Sequence, residues 1–140
     1  KSAAESLAQE IESLPEHHAL LLDTFRAQRG QLVDVQFKDG RQDTLRILLV
    51  SPSGIRAQRE LPQGFIEIEF TPAQLHPREV WNRLGEIASP QARIVRGLFA
   101  TEHQQWEAAA AEFESAKTPL GDLLAREAKK KTSFREMAMP

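Results

Sequence analysis

Two pairs of side chains in this sequence have types suited to chemistry: adjacent histidines and closely spaced carboxylates. His17 and His18 are neighbours, while Glu67 and Glu69 are two residues apart. Neighbouring helical residues point about 100° apart, so the two imidazoles are poorly placed to hold one metal ion. Carboxylates about 7 Å apart on one strand face suit glycoside hydrolysis, but the chain has no tyrosine to line a sugar cleft. We interpret both pairs as solvent-exposed, and a hydrolase that uses Glu67, Glu69 and a histidine is the least favoured hypothesis.

Motifs for other kinds of catalysis are missing from the sequence. Without cysteine, the chain has no disulfide, no thiolate nucleophile and no cysteine-based metal site. No serine lies in a Gly-x-Ser-x-Gly elbow, and the seven glycines are too scattered to form a phosphate-binding loop. We therefore assign no catalytic residue, no metal ligand, no cofactor and no cofactor-binding residue, and we expect a protein that is not an enzyme.

Five side chains are candidates for contacting a partner. Arginines suit phosphate or carboxylate groups, and we expect four of them on one small β-unit: Arg41, Arg46, Arg56 and Arg59. Nearby acids nearly cancel their charge, so surface ion pairs are the favoured interpretation and an anion or nucleic-acid site is the alternative. These acids are Asp34, Asp39, Asp43 and Glu60. Trp81 is the fifth candidate, because an exposed tryptophan marks an interface, although a core position is the favoured interpretation.

Composition and charge bound the class of protein. The 140 residues, 41% of them hydrophobic, suffice for one domain or two very small ones. The net charge of −2 gives no overall basic field, which makes nucleic acid an unfavoured partner. The three lysines at 129–131 form a shorter run than the basic clusters that bind membrane surfaces. No apolar run approaches the ~20 residues that span a bilayer. We expect no membrane span and no signal peptide in this sequence, and the compartment is unknown.

Hydrophobic spacing divides the chain into helical and extended parts. Apolar residues at helical spacing predict helices over about 3–14 and 16–28, separated by Pro15, with Gly30 expected to end the second. A two-residue period then predicts an antiparallel sheet with an Asp39-Gly40 hairpin turn. The predicted strands are 33–37, 44–50, 55–59 and 65–70.

The strand sequences also predict their surroundings. The second strand is apolar on both faces, so it should be central in the sheet. In the fourth strand, Ile66, Ile68 and Phe70 are predicted to face inward. Helical spacing resumes beyond Thr71, and prolines mark the starts of helices. The predicted helices are 77–88, 90–103, 105–116 and 119–130.

These elements predict an α+β fold with N-terminal helices, a small antiparallel sheet or partial barrel of three to five strands, and a C-terminal array of helical hairpins. We divide the chain into a helical segment (1–29), a β-unit (30–75), a helical region (76–131) and a flexible tail (132–140). One compact domain is the alternative, because a small sheet needs a helix to cover its open face.

The helical stretch 90–116 resembles one tetratricopeptide repeat. Small and aromatic residues fall at the positions that this repeat uses: Gly97, Trp106, Ala109, Phe113 and Ala116. The resemblance implies a helical hairpin in which Gly97 and Ala109 allow close approach of two helices. A generic αα-hairpin is the alternative, and a single repeat does not imply a peptide-binding groove.

Residues 30–75 are similar to a small Sm-like or SH3-like barrel. The shared features are a short preceding helix, a glycine, and the segment VDVQFKDG at 33–40. The turn that holds RNA bases in the Sm-like family has no counterpart in this sequence, so no RNA-contact residue is assigned.

A small β-unit followed by repeat-like helices resembles an accessory region of a larger bacterial multidomain signalling protein. With no catalytic motif, we predict a non-catalytic protein–protein interaction or scaffolding module, whose protein partner the sequence does not identify. The alternative hypothesis is an Sm-like protein that binds single-stranded RNA. The oligomeric state is open, and a ring of copies would favour the RNA-binding hypothesis.

Overall fold

A computed structural model of the chain describes residues 2–138. For Ala3 and residues 133–138 it describes the backbone only. Among these residues, six α-helices and a four-stranded antiparallel sheet confirm the predicted α+β fold. The helices are α1 (Ala3–Glu12), α2 (His17–Ala27), α3 (Pro77–Gly85), α4 (Pro90–Glu102), α5 (Trp106–Ala116) and α6 (Pro119–Ala138). The strands are β1 (Leu32–Gln36), β2 (Gln42–Ser51), β3 (Gly54–Leu61) and β4 (Gly64–Phe70), and a 3-10 turn spans Pro72–Gln74.

The sheet is a meander in which each strand pairs with the next, in the order β1-β2-β3-β4. The strand β2 lies between β1 and β3, as its two apolar faces predicted. The turn before β2 is also confirmed: Gly40 has a φ of +89°, and the Asp39 carboxylate accepts a hydrogen bond from the Arg41 N–H at 2.9 Å. Glycine suits this turn because a side chain at positive φ would be strained.

The two edges of the sheet differ in what lies beside them. Residues 74–76 border β1, since the Lys38 N–H donates to the Gln74 carbonyl and the His76 N–H donates to the Gln36 carbonyl, both at 2.9 Å. Beside the outer edge of β4, the described part of the chain places no strand. The edge of β4 is therefore open.

The chain divides into two compact units. The sheet unit is His17–Arg83, and the helical unit combines Lys1–Glu16 with Leu84–Pro140. In the sheet unit, the helix α2 covers one face of the sheet, where Leu21 and Phe25 are buried together with Leu45 and Ile47. The ring of Phe25 lies 5.5 Å from the ring of Phe70, centroid to centroid, in an edge-to-face contact.

In the helical unit, α4, α5 and α6 pack as successive hairpins. Gly97 on α4 lies so close to α5 that a Cβ atom built there would be 2.4 Å from Cε1 of Phe113. The helix α1 packs on α6, where the Glu10 carboxylate accepts a hydrogen bond from the Leu120 N–H at 3.1 Å and another from the Thr118 hydroxyl. Glu10 therefore satisfies a backbone donor in the first turn of α6.

Three sequence-based predictions were wrong in detail. The helix α3 ends at Gly85, three residues before the predicted end at residue 88. The helix α6 continues to Ala138, well past the predicted end at residue 130, and the last two residues of the predicted tail lie outside the described part. Ile66 was predicted to face the core, but 45% of it is exposed. It shares a side of β4 with buried Phe70 but lies four residues, or about 13 Å, nearer the hairpin turn. Helix α2 covers the Phe70 end of the strand.

Candidate functional site

Two of the four candidate arginines lie on the outer face of the sheet, which we define as the face opposite α2. Arg46 donates to the Glu60 carboxylate at 2.9 Å. Arg56 contacts two carboxylates of β4, with 3.0 Å from its Nη2 to Glu69 and 3.5 Å from its Nε to Glu67. Both guanidinium groups are therefore partly neutralised by acids on neighbouring strands.

The other two candidate arginines lie elsewhere. Arg59 pairs across the strands with Ile66, so it projects from the opposite face, and it donates to the Asp43 carboxylate at 2.7 Å. Arg41 follows the β1–β2 turn, with its Nε 3.7 Å from carboxylates of Asp39 and Asp43. The four arginines thus do not form one patch, and the predicted surface ion pairs are present.

Of the two pairs singled out in the sequence, Glu67, Glu69 and His18 are exposed, and His17 is half-buried. Glu67 and Glu69 have 52% and 70% of their side chains exposed and both face Arg56. The His76 ring accepts a hydrogen bond from the Arg78 N–H at 3.0 Å and so caps the start of α3. The rings of His17 and His18 lie 4.4 Å apart, and no cluster of three or more His, Asp or Glu in the described part could hold a metal ion.

Trp81 lies on α3 and is half-buried. Trp81 is therefore neither fully buried, as a core residue would be, nor fully exposed, as a residue that projects toward a partner would be. Its proposed contact with a partner stays a prediction.

Among the described residues of the sheet unit, the most exposed large apolar residue, Phe65, lies on β4, while Leu32 on β1 (48%) and Leu49 on β2 (45%) are also exposed. Phe65 is 59% exposed, and Ile66 beside it and Leu61 across the hairpin are also exposed. Phe65 pairs with Glu60 and so lies on the outer face, whereas Ile66 pairs with Arg59 and lies on the opposite face. We name the strand Gly64–Phe70, with its unpaired outer side, the β4 edge.

Sequence reasoning did not select the β4 edge as a contact surface. Phe65 was predicted as the first residue of a strand and was not itself selected as a contact residue. A signal was present, because Phe65 and Ile66 put apolar side chains on both faces of the last strand of a meander. The last strand of a meander is an edge unless another element closes the sheet.

A shallow cleft of about 190 Å³ lies at the β2–β3 turn. Its lining is mixed: it includes the apolar residue Phe70 and the polar residues Ser51 and Ser53, whose hydroxyl oxygens are 2.9 Å apart. Arg56 also lines it, but this cation is engaged by Glu69. The cleft holds no arrangement of nucleophile and base, so the β4 edge is the stronger candidate site.

No protein-family model, curated protein or solved structure matches this chain. Within the described residues, every helix is too short or too polar to cross a membrane. The geometry of the sheet unit is therefore the main guide to function.

Proposed function

We propose that this chain is a non-catalytic protein-interaction module and that a protein partner binds at the β4 edge. The proposal rests on the exposure of Phe65: 59% of this residue is exposed, and its strand has an unpaired side. An extended segment of another protein can add to such an edge as a further strand, with backbone hydrogen bonds supplying affinity.

The β4 edge lacks most of the devices that prevent strands from pairing with other chains. Natural edges are blunted by proline, by lysine, by bulges or by a covering element. The strand Gly64–Phe70 contains neither proline nor lysine, and its register with β3 is continuous from Gly64 to Phe70. Its two glutamates are the only charged residues on it. Few features of this edge therefore oppose the addition of another strand.

The opposite edge of the sheet is occupied over part of its length, at residues 36–38, which supports the choice of β4. Besides the backbone bonds from residues 74–76, the Gln36 N–H donates to the Glu79 carboxylate at 3.1 Å. Phe37 also forms an isolated bridge with Leu75. Chain segments therefore border the β1 side of the sheet at residues 36–38, whereas no described strand borders β4.

The two resemblances fit an interaction module without a catalytic centre. The order of helix, glycine turn and strands in the sheet unit supports the Sm-like or SH3-like resemblance. The contact between Gly97 and Phe113 supports the tetratricopeptide-like hairpin. On this basis we also propose that the chain is an accessory, scaffolding region of a bacterial multidomain signalling protein.

The test is selection of peptides from a random displayed library of 12-residue sequences. We expect selected peptides to bind and to slow amide hydrogen exchange over residues 64–70. The double variant Phe65→Thr/Ile66→Thr should weaken binding at least tenfold. The matched control Leu49→Thr should not, because Leu49 is a similarly exposed apolar residue on the central strand β2. Failure to select any peptide that protects residues 64–70 would contradict the proposal.

A further inference from the structure

We infer that the partner segment is an extended strand with alternating character: apolar side chains on the α2 side of the sheet and lysine or arginine on the outer face. This inference rests on the proposed function, because it specifies the chemistry of what adds to the β4 edge.

The apolar half of the pattern follows from the register of β4. Ile68 pairs with Ala57, and Phe70 pairs with Ile55, so these residues lie on the side of the sheet that α2 covers. Ile66 continues that side and is exposed. Successive strand residues alternate between faces, so every second residue of an added strand would extend this apolar surface.

The basic half of the pattern follows from the charges on the outer face. Among the residues that the structure describes, Arg56 is the cation that contacts the β4 carboxylates, and it contacts both Glu67 and Glu69. Two carboxylates thus share one guanidinium, which leaves the outer face of β4 with an excess of negative charge. Opposite charges on neighbouring strands stabilise pairing and like charges weaken it. An added strand with cations at these positions would therefore be favoured over one with acids.

Phe65 also favours a basic side chain on the added strand, at the position nearest the hairpin turn. Its ring lies on the outer face, in line with Glu67 and Glu69. The aliphatic stem of a lysine or arginine can pack on an exposed ring while its charged end stays in water. A segment with three basic residues at alternate positions would meet Phe65, Glu67 and Glu69 together.

A second copy of this chain fits the β4 edge less well. In an antiparallel pairing that overlaps the whole of β4, Glu67 would lie opposite Glu67 of the second copy and Phe65 opposite Glu69. Like charges directly opposite each other oppose pairing. The charge on the strand therefore points to a different, basic partner.

The experiment compares three labelled synthetic peptides by fluorescence anisotropy, with hydrogen exchange to locate each one. The first alternates valine and lysine, the second alternates valine and glutamate, and the third has the composition of the first with the lysines in one block. We expect the first to bind about tenfold more tightly than either of the others and to protect residues 64–70.

Charge reversal on the protein completes the test. The double variant Glu67→Lys/Glu69→Lys should bind the valine–glutamate peptide more tightly than the valine–lysine peptide. Glu12→Lys/Glu16→Lys makes the same change in charge at exposed residues outside the sheet unit, and should leave the preference unchanged.

Each failure has a separate meaning. If the peptides protect residues 64–70 equally well, this inference is wrong and the interaction module stands. If the block peptide binds as tightly as the alternating valine–lysine peptide, the affinity depends on net charge and not on alternation, and the inference is likewise wrong. Absence of protection with these peptides and with the selected ones would overturn both proposals. A concentration-dependent dimer that protects residues 64–70 without peptide would identify a second copy as the occupant and overturn the basic partner.

Discussion

The guanidinium carbon of Arg83 lies 3.6 Å from the centroid of the Phe25 ring. The same guanidinium donates to the carboxylate of Glu79 at 2.6 Å and to the side-chain oxygen of Gln28 at 2.8 Å, and the residue is 5% exposed. Glu79 in turn accepts a hydrogen bond from the backbone of Gln36. One buried cation thus links α3 to α2 and, through its carboxylate partner, to β1.

Replacing this cation should destabilise the sheet unit. We expect Arg83→Met to lower the free energy of unfolding by about 3 kcal/mol, because it leaves a carboxylate that is 13% exposed without its counterion. Urea denaturation followed by circular dichroism measures this. Arg78→Met is the matched control on an exposed arginine of the same helix and should stay within about 0.5 kcal/mol of wild type. Arg83→Met/Glu79→Gln should recover part of the loss, and a fully stable Arg83→Met protein would contradict this account.

Enlarging Gly97 should separate α4 from α5. Alanine gains about 1 kcal/mol in helix propensity, but its Cβ would be 2.4 Å from a ring atom of buried Phe113. Overpacking of this kind costs about 1–3 kcal/mol. We therefore expect Gly97→Ala to lower the thermal midpoint of the helical unit, and Gly97→Ala/Phe113→Leu to restore part of it. A higher midpoint for the single variant would show that the helices separate without cost.

Removing the carboxylate of Glu10 should loosen the start of α6. We expect Glu10→Ala to lower stability by about 1 kcal/mol, as loss of a helix cap does. Faster amide exchange near Leu120 would place the effect at the first turn of that helix. Glu12→Ala, an exposed neighbour on α1, is the control and should have no comparable effect. Unchanged exchange near Leu120 in Glu10→Ala would contradict the capping role.

Single-stranded RNA should bind weakly or not at all. Arg46, Arg56 and Arg59 each contact a carboxylate, so few cations are available to replace counterions on phosphate. Titration of a labelled oligonucleotide at 50 and 200 mM salt would measure this by anisotropy. Tight binding that falls steeply between those salt concentrations would favour the Sm-like alternative over the interaction module.

Much of the fold followed from local patterns. Proline and hydrophobic period placed the helix starts within a residue or two, and the double apolar face of 44–50 identified the central strand. The turn at Asp39-Gly40 followed from the need for positive φ. These features depend on a few neighbouring residues, so the sequence alone contains them.

The remaining features depend on contacts between distant segments. Glu79 lies four residues before Arg83, but the burial of Arg83 also depends on Gln28, more than fifty positions earlier, whereas Arg78 on the same helix is exposed. The exposure of Ile66 depends on where α2 ends over the sheet. The predicted ion pairs were present, but the contact surface on β4 appeared only once its unpaired edge was known.

The hydrogen bond between Glu10 and Leu120 joins residues 110 positions apart. The entire sheet unit lies between them in the sequence. During synthesis on the ribosome, α1 therefore emerges before its neighbour α6 exists. Because the sheet unit is complete once Arg83 has left the exit tunnel, we expect it to fold first, as domains completed earlier do. Until the last helix arrives, α1 carries its apolar face without a docking site, and chaperones that recognise such segments would encounter it in that interval.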